Sequence, residues 1–112
     1  MPLLGFSVFR EKLLSGEKCQ TIRRPRKIPL KVGDRLYIYW HPRQKDCEKL
    51  GESNITKIQH KRMIDFNEDD AIRDGFRFYD ELNEWLTEHY PTAGANSVFD
   101  IITFEPIRKE DS

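Results

Sequence analysis

Gly16-Glu17-Lys18-Cys19-Gln20-Thr21-Ile22-Arg23-Arg24-Pro25-Arg26-Lys27 changes structural type twice within twelve residues. Gly16 follows an apolar stripe and suits the left-handed residue that stops a helix. Thr21 and Ile22 are β-branched and favour a strand over 20–24. Pro25 and Pro29 hold the residues that follow in an extended loop, because proline fixes its own φ and keeps the preceding residue out of the helical region. A helix, a strand and a basic loop in such quick succession point away from long repetitive architectures.

Upstream, Phe6, Phe9 and Leu13 fall at i, i+3 and i+7, with Val8 and Leu14 widening the stripe, so 6–15 is predicted as a short helix capped by Ser7. Downstream, Val32-Gly33-Asp34 signals a turn. It leads into a strand over 35–41, where Leu36, Ile38 and Trp40 alternate with Tyr37, Tyr39 and His41. Residues 42–53, with Pro42, Gly51 and several charges, read as a loop. Ile55 to Met63 reads as a strand whose Ile55/Ile58 spacing breaks strict alternation, a sign of a bulge. Acids after Asn67 favour a helix start, and that helix stops near Gly75. Leu82, Trp85 and Leu86 share one face of a helix over 79–90 that Pro91 ends, and 97–104 is the last strand. The expected order is helix, several strands, two helices, strand. Few strand–helix–strand units are present, which predicts a small α+β domain around a curved antiparallel sheet or barrel, not a doubly wound parallel sheet.

The chain has 112 residues, a length for one domain over 1–112, and no repeat or Gly/Ser linker divides it. Thirteen aromatics argue against disorder. No apolar run is long enough to span a bilayer and the N-terminus does not resemble a signal peptide, so a cytoplasmic protein without a membrane partner is expected. Cys19 and Cys47 are expected as free thiols. The polar run 108–112 is expected to fray.

Lys+Arg and Asp+Glu both number 19, giving a formal charge of zero. That zero conceals a division. Residues 1–62 hold 15 basic and 6 acidic side chains, whereas residues 63–112 hold 4 and 13. Such asymmetry is a prior for a polyanion on one face, although the two halves can also neutralise each other across the fold.

The basic stretch concentrates candidate chemistry. Arg23, Arg24 and Arg26 carry planar donor forks that suit phosphates, with Lys27 beside them and Arg43 in the later loop. Tyr37, Tyr39 and Trp40 can stack on bases. The alternative is a solvated basic face, with Trp40 in the core. Cys19 lies among cations that can lower a thiol pKa, but no histidine base is near in sequence. His41, His60 and His89 are scattered and no CxxC occurs, so no metal site is expected. The phosphate-loop, dinucleotide and Gly-x-Ser-x-Gly motifs are missing, and no cofactor is expected. Asp74 stands at a helix end where an acid opposes the dipole, a hint that it pairs with a lysine or arginine of the basic motif.

Four segments together resemble the ASCH domain (activating signal cointegrator homology), a relative of the PUA fold. Gly16-x-Lys18-x-x-Thr21-x-Arg23 is close to that family's G-x-K-x-x-[ET]-x-R. Val32-Gly33-Asp34 follows, then Glu68-Asp69-Asp70-Ala71-x-x-Asp74-Gly75-Phe76, then the Leu82/Trp85 helix and last strand, over about 6–104. The resemblance implies a small PUA-like β-barrel of about five to six strands with flanking helices. It also implies a basic cleft that binds RNA or a modified nucleoside. Some members are ribonucleases, and a short bacterial branch removes acetyl from N4-acetylcytidine. That branch's proposed catalytic set falls on Lys18, Thr21 and Asp74, with aspartate where the branch carries glutamate. Lys18 and Thr21 are three apart, so on a regular strand they would point to opposite faces. They converge only if 16–19 is still a turn. A protein-interaction adaptor using the two charged faces is a further reading.

Overall fold

The computed structural model describes residues 3–108. Its elements run β1 (Leu3–Phe6), α1 (Arg10–Ser15), β2 (Gln20–Arg23), β3 (Arg35–Trp40), β4 (Glu48–Arg62), a 3-10 turn (Met63–Asp65), α2 (Glu68–Asp74), α3 (Tyr79–His89) and β5 (Val98–Phe104). The five strands form one curled, half-barrel sheet in the order β1-β3-β4-β5-β2. All neighbours are antiparallel except β1 and β3. This is an α+β architecture, a curled sheet with helices packed on one face.

Fifteen-residue β4 makes the curl. Its first half pairs with β3 and its second with β5, with a register shift between Ile55 and Lys57 where the two halves meet. Thr56 is the extra residue that breaks the alternation of Ile55 and Ile58, and such a bulge bends a strand. A second shift lies between Ile38 and Tyr39 on β3.

Two cores occupy the two faces. Leu4, Phe6, Leu13, Leu36, Ile38, Leu50, Ile55, Ile102 and Phe104 fill the barrel interior. Ile22, Phe66, Ala71, Leu82, Leu86, Phe99 and Ile101 form a second core between the sheet's outer face and α2 and α3. Neighbouring Ile101 and Ile102 therefore serve opposite cores, as the period of two requires.

Three expectations need correction. Residues 3–6 are a strand, and the helix begins at Arg10, not at Phe6. Leu4 and Phe6 alternate inward and pair with β3, a tertiary gain that outweighs the helical spacing. Ser7 is not the cap; Phe9 takes that place in a left-handed conformation, φ 64°. Second, only the residues before Glu48 are loop, because β4 already runs through 48–53. Lys49 and Glu52 lie opposite Tyr39 and Tyr37 on one face of the pair, while Leu50 and Ser53 are buried. Gly51 is there because the C-terminal segment crosses it: a Cβ would lie 2.4 Å from the Arg108 carbonyl oxygen. Third, Arg108 does not fray. It forms a bridge with Glu52, N–H to O distances 2.8 and 2.9 Å. The rest of the expected polar tail, 109–112, lies outside the described residues.

The helices start and stop as their sequences require. Asn67 and Asp70 form a reciprocal capping box, each side chain accepting from the other's main-chain N–H at 3.0 Å. Gly75, φ 108°, ends α2. Among the described residues no helix is long and apolar enough to cross a membrane. Cys19 and Cys47 are free thiols.

Candidate functional site

Among the described residues the sheet does not close on itself through backbone hydrogen bonds. Edge strands β1 and β2 face each other across an open seam, which side chains span. Phe6 turns its carbonyl to His41 beyond β3, 2.9 Å, so Leu3 and Gly5 present theirs to the open edge. Arg23 on β2 donates to Gly5 O at 2.5 Å, and Arg26 reaches Leu3 O at 3.4 Å. An unpaired strand edge is thus satisfied by guanidinium groups.

A pocket of about 200 Å³ opens at this seam. Its walls include Gly5 and Phe6 from β1, Lys18 from the turn after α1, Thr21 and Arg23 from β2, Asp74 from the end of α2, and Phe76, Trp85 and Tyr90 from the helical layer. Gly16, φ 83°, ends α1, and the Lys18 N–H donates back to Lys12 O at 2.9 Å. Lys18 therefore lies in a turn, outside the strand that starts at Gln20. This is how Lys18 and Thr21, three apart, come to line one pocket. No hydrogen bond joins Lys18 to Thr21. The Thr21 hydroxyl instead accepts from Arg23 Nε at 3.0 Å, which leaves its own proton free to point elsewhere.

Lys18 is 3% exposed and Asp74 6%. The Lys18 ammonium donates to the main-chain carbonyl of Asp74. It also lies 5.8 Å from the Phe6 ring centroid and 5.4 Å from that of Phe9. Asp74 Oδ1 stands 3.2 Å from Lys18 Nζ, within ion-pair distance, yet off the hydrogen-bonding direction. That oxygen is buried with no hydrogen-bond partner, as is Trp85 Nε1. Burial pushes the Asp74 carboxyl up to about 6, against the pull of Lys18 and Arg23. Burial also lowers Lys18, against the pull of Asp74. Both shifts favour the neutral forms. The expected partnership of Asp74 with a motif lysine is present. The neighbouring Lys12 donates to Gly75 O at 2.8 Å, adding a second cation at the negative end of α2.

The other sequence candidates lie elsewhere. Arg24 donates to Val98 O at 2.5 Å with its guanidinium 5.2 Å from the Phe99 ring centroid. Arg26 and Lys27 are exposed in the basic loop. Tyr37 lies on β3 beneath the Lys49 ammonium, 4.5 Å. Trp40 packs against the interior core and stacks on His41 at 4.2 Å. Arg43 sits in the β3–β4 loop at φ 70°. Of the ten candidates, the pocket brings together Lys18, Thr21, Arg23 and Asp74.

Cys19 is corrected. It does not line the Lys18 pocket, its thiol donates to Gly16 O at 3.0 Å, and burial raises its pKa where a cationic setting would lower it. Among the described residues no three His, Cys, Asp or Glu side chains are grouped to hold a metal ion. The aromatic walls were the part that sequence reasoning missed. Phe6 lies on a strand where its spacing predicts a helix; Trp85 does pack on the core face of α3 and also borders the pocket. The signal available was Phe76, directly after Asp74-Gly75.

No protein-family model matches the chain, and no curated protein matches it. Among solved structures, the crystal structure of an ASCH domain from Lactobacillus crispatus JV V101 is similar, with TM-score 0.66 and 13% sequence identity. The likeness covers 93% of this chain and 79% of that one. With its strand order, curled sheet and flanking helices, the chain carries the ASCH-domain fold.

Proposed function

We propose that the seam pocket binds a nucleoside, free or as one base of a short RNA segment, and that the protein acts in RNA metabolism in the cytosol. The observation that carries this reading is the buried Asp74 carboxylate in an aromatic-walled pocket, whose Oδ1 has the Lys18 ammonium at ion-pair distance but no aligned hydrogen-bond donor. A buried oxygen that lacks an aligned donor is costly, and the amino or ring N–H of a base would supply one. Phe6, Phe76, Trp85 and Tyr90 offer stacking surfaces. About 200 Å³ is below the usual range for drug-sized ligands, so one base enters at a time. Arg24, Arg26 and Lys27 outside the pocket suit the phosphates of an attached strand.

The test is a titration with the four nucleosides, N4-acetylcytidine and a short single-stranded RNA, followed by NMR. Saturable shifts at Thr21, Asp74 and Trp85 are expected, weakened about tenfold or more in Asp74→Ala. RNA affinity is expected to fall with salt and with Arg24→Ala. No shift with any of these ligands overturns the reading. Salt-sensitive self-association without ligand affinity would instead favour a protein-interaction adaptor.

A second reading is a hydrolase, favoured by the convergence of Lys18 and Thr21. On N4-acetylcytidine, Thr21 Oγ would attack the acetyl carbonyl carbon while neutral Lys18 takes the hydroxyl proton. The C–N bond breaks, Lys18 returns the proton to the departing N4, and water then cleaves the acyl-threonine ester to release acetate. Burial of Lys18 supports the neutral form that this step needs. Ribonuclease action is the alternative substrate class. Turnover of N4-acetylcytidine or of short RNA, lost in Lys18→Ala, supports this reading; no turnover of either leaves binding alone.

A further inference from the structure

A second concavity, about 190 Å³, shares no lining residue with the Lys18 pocket. Its floor follows from strand register. Gln20 pairs with Thr103, and Thr103 with Lys57, so these three side chains form one cross-strand row over β2, β5 and β4. Directly opposite residues on neighbouring strands share a face with Cβ atoms about 5 Å apart. The next row on this face is Ile22, Ile101 and Gln59, where the apolar members belong to the second core. The face therefore turns from apolar to polar where α2 stops, and Arg73 from the last turn of α2 forms a wall. Lys57 directly follows the Thr56 bulge, the kind of irregularity that re-aims a side chain.

The charge of this concavity is unbalanced. Lys57 and Arg73 form no ion pair among the described residues, although acids are plentiful in this half of the chain. Glu17 at the rim is the one acid among the lining residues, and it is exposed. A guanidinium, an ammonium and the Gln59 amide line one small volume, together with the Gln20 amide, one N–H of which donates to Asp70 O at 3.4 Å and leaves the other available. That set of donors suits a tetrahedral oxyanion.

We propose that this concavity is a phosphate-binding site, built from Lys57, Arg73, Gln20 and Gln59. It is independent of the nucleoside reading, because the two pockets share no lining residue. Free phosphate and the terminal phosphate of an oligonucleotide share this chemistry.

Cys19 lines the same concavity and reports on it. In a Cys47→Ser background the rate of Cys19 alkylation by iodoacetamide is followed with rising inorganic phosphate, and with sodium chloride at matched ionic strength. A bound anion beside the thiol disfavours the thiolate and slows alkylation. A saturable, several-fold slowing by phosphate but not chloride is expected. Lys57→Ala/Arg73→Ala, both exposed positions, should weaken it about tenfold or more, whereas Glu17→Gln should tighten it. A 5′-phosphorylated dinucleotide that protects where its unphosphorylated form does not identifies the terminal phosphate as the source. Equal effects of chloride and phosphate, no slowing, or undiminished slowing in the double variant overturn the proposal.

Discussion

Arg23 Nη2 donates to the carbonyl of Gly5 at 2.5 Å, tying edge strand β2 to edge strand β1 across the open side of the half-barrel. Its Nε simultaneously donates to Thr21 Oγ1 at 3.0 Å, and its guanidinium lies 4.9 Å from the Phe6 ring centroid. One side chain thus fixes the sheet's free edges and a pocket hydroxyl.

Arg23→Ala is expected to destabilise the fold by about 1–3 kcal/mol, because Gly5 O and Thr21 Oγ1 both lose a charged donor. Urea unfolding followed by tryptophan fluorescence checks this. Arg23→Lys should recover only part of the loss, since an ammonium cannot reproduce the two-directional fork. Full stability in Arg23→Ala would mean that the seam is held by packing alone.

Stability should fall as pH rises from about 4 to about 6. The Asp74 carboxyl is raised to about 6 in the folded chain from an ordinary value of 3.8. Between those values the folded state holds a proton that the unfolded state has lost, so rising pH favours unfolding. The change from this group is at most about 3 kcal/mol and is complete above its folded pKa. Lys18, lowered by burial, acts with the opposite sign in the alkaline range, where stability should recover as the unfolded lysine loses its proton. Asp74→Asn should flatten the acid limb of a urea-midpoint-versus-pH profile. An unchanged acid limb would assign it to other carboxylates.

Removing one member of the buried pair should cost more than removing both. Lys18→Met alone leaves Asp74 buried among Phe6, Phe76 and Trp85, and a loss of about 3–5 kcal/mol is expected. Lys18→Met/Asp74→Leu should regain most of that stability, since neither charge is then desolvated. Nucleoside affinity or turnover should not return. A double variant that is stable and still active would remove both residues from the proposed site.

Gly51→Ala should destabilise by about 1–3 kcal/mol, as its Cβ would meet Arg108 O and Ile107 Cγ2, each at 2.4 Å. Thermal melting reads this directly. Gly33→Ala is a useful contrast: nothing lies within 4 Å of its Cβ, and only the φ of +95° opposes it.

Elements whose identity depends on local chemistry were legible before the structure. The Gly16 stop, the Asn67 start with its first-turn acids, the Pro91 end and the bulge near Ile55 all fall where the residues placed them. Elements that depend on a distant partner were not. Leu3–Phe6 is a strand because β3 lies beside it, and Glu48–Ser53 because β3 and the Arg108 segment flank it. The site divides in the same way. Arg23 stands out in the basic stretch and Asp74 by its place at a helix end, whereas Lys18 and Thr21 are implied by the family resemblance. The walls contributed by Phe6, Trp85 and Tyr90 depend on how the helical layer meets the seam, which no local pattern encodes.

Only four residues long, β1 has backbone pairing on one side and two arginine side chains on the other. Local opening is cheapest where few backbone bonds must break, so β1, like the other four-residue edge strand β2, is a place where native-state fluctuation begins. Gly5 and Phe6 are also pocket wall. Fraying of this strand and release of whatever occupies the pocket are then one motion, and a bound ligand registers as slowed amide exchange along β1.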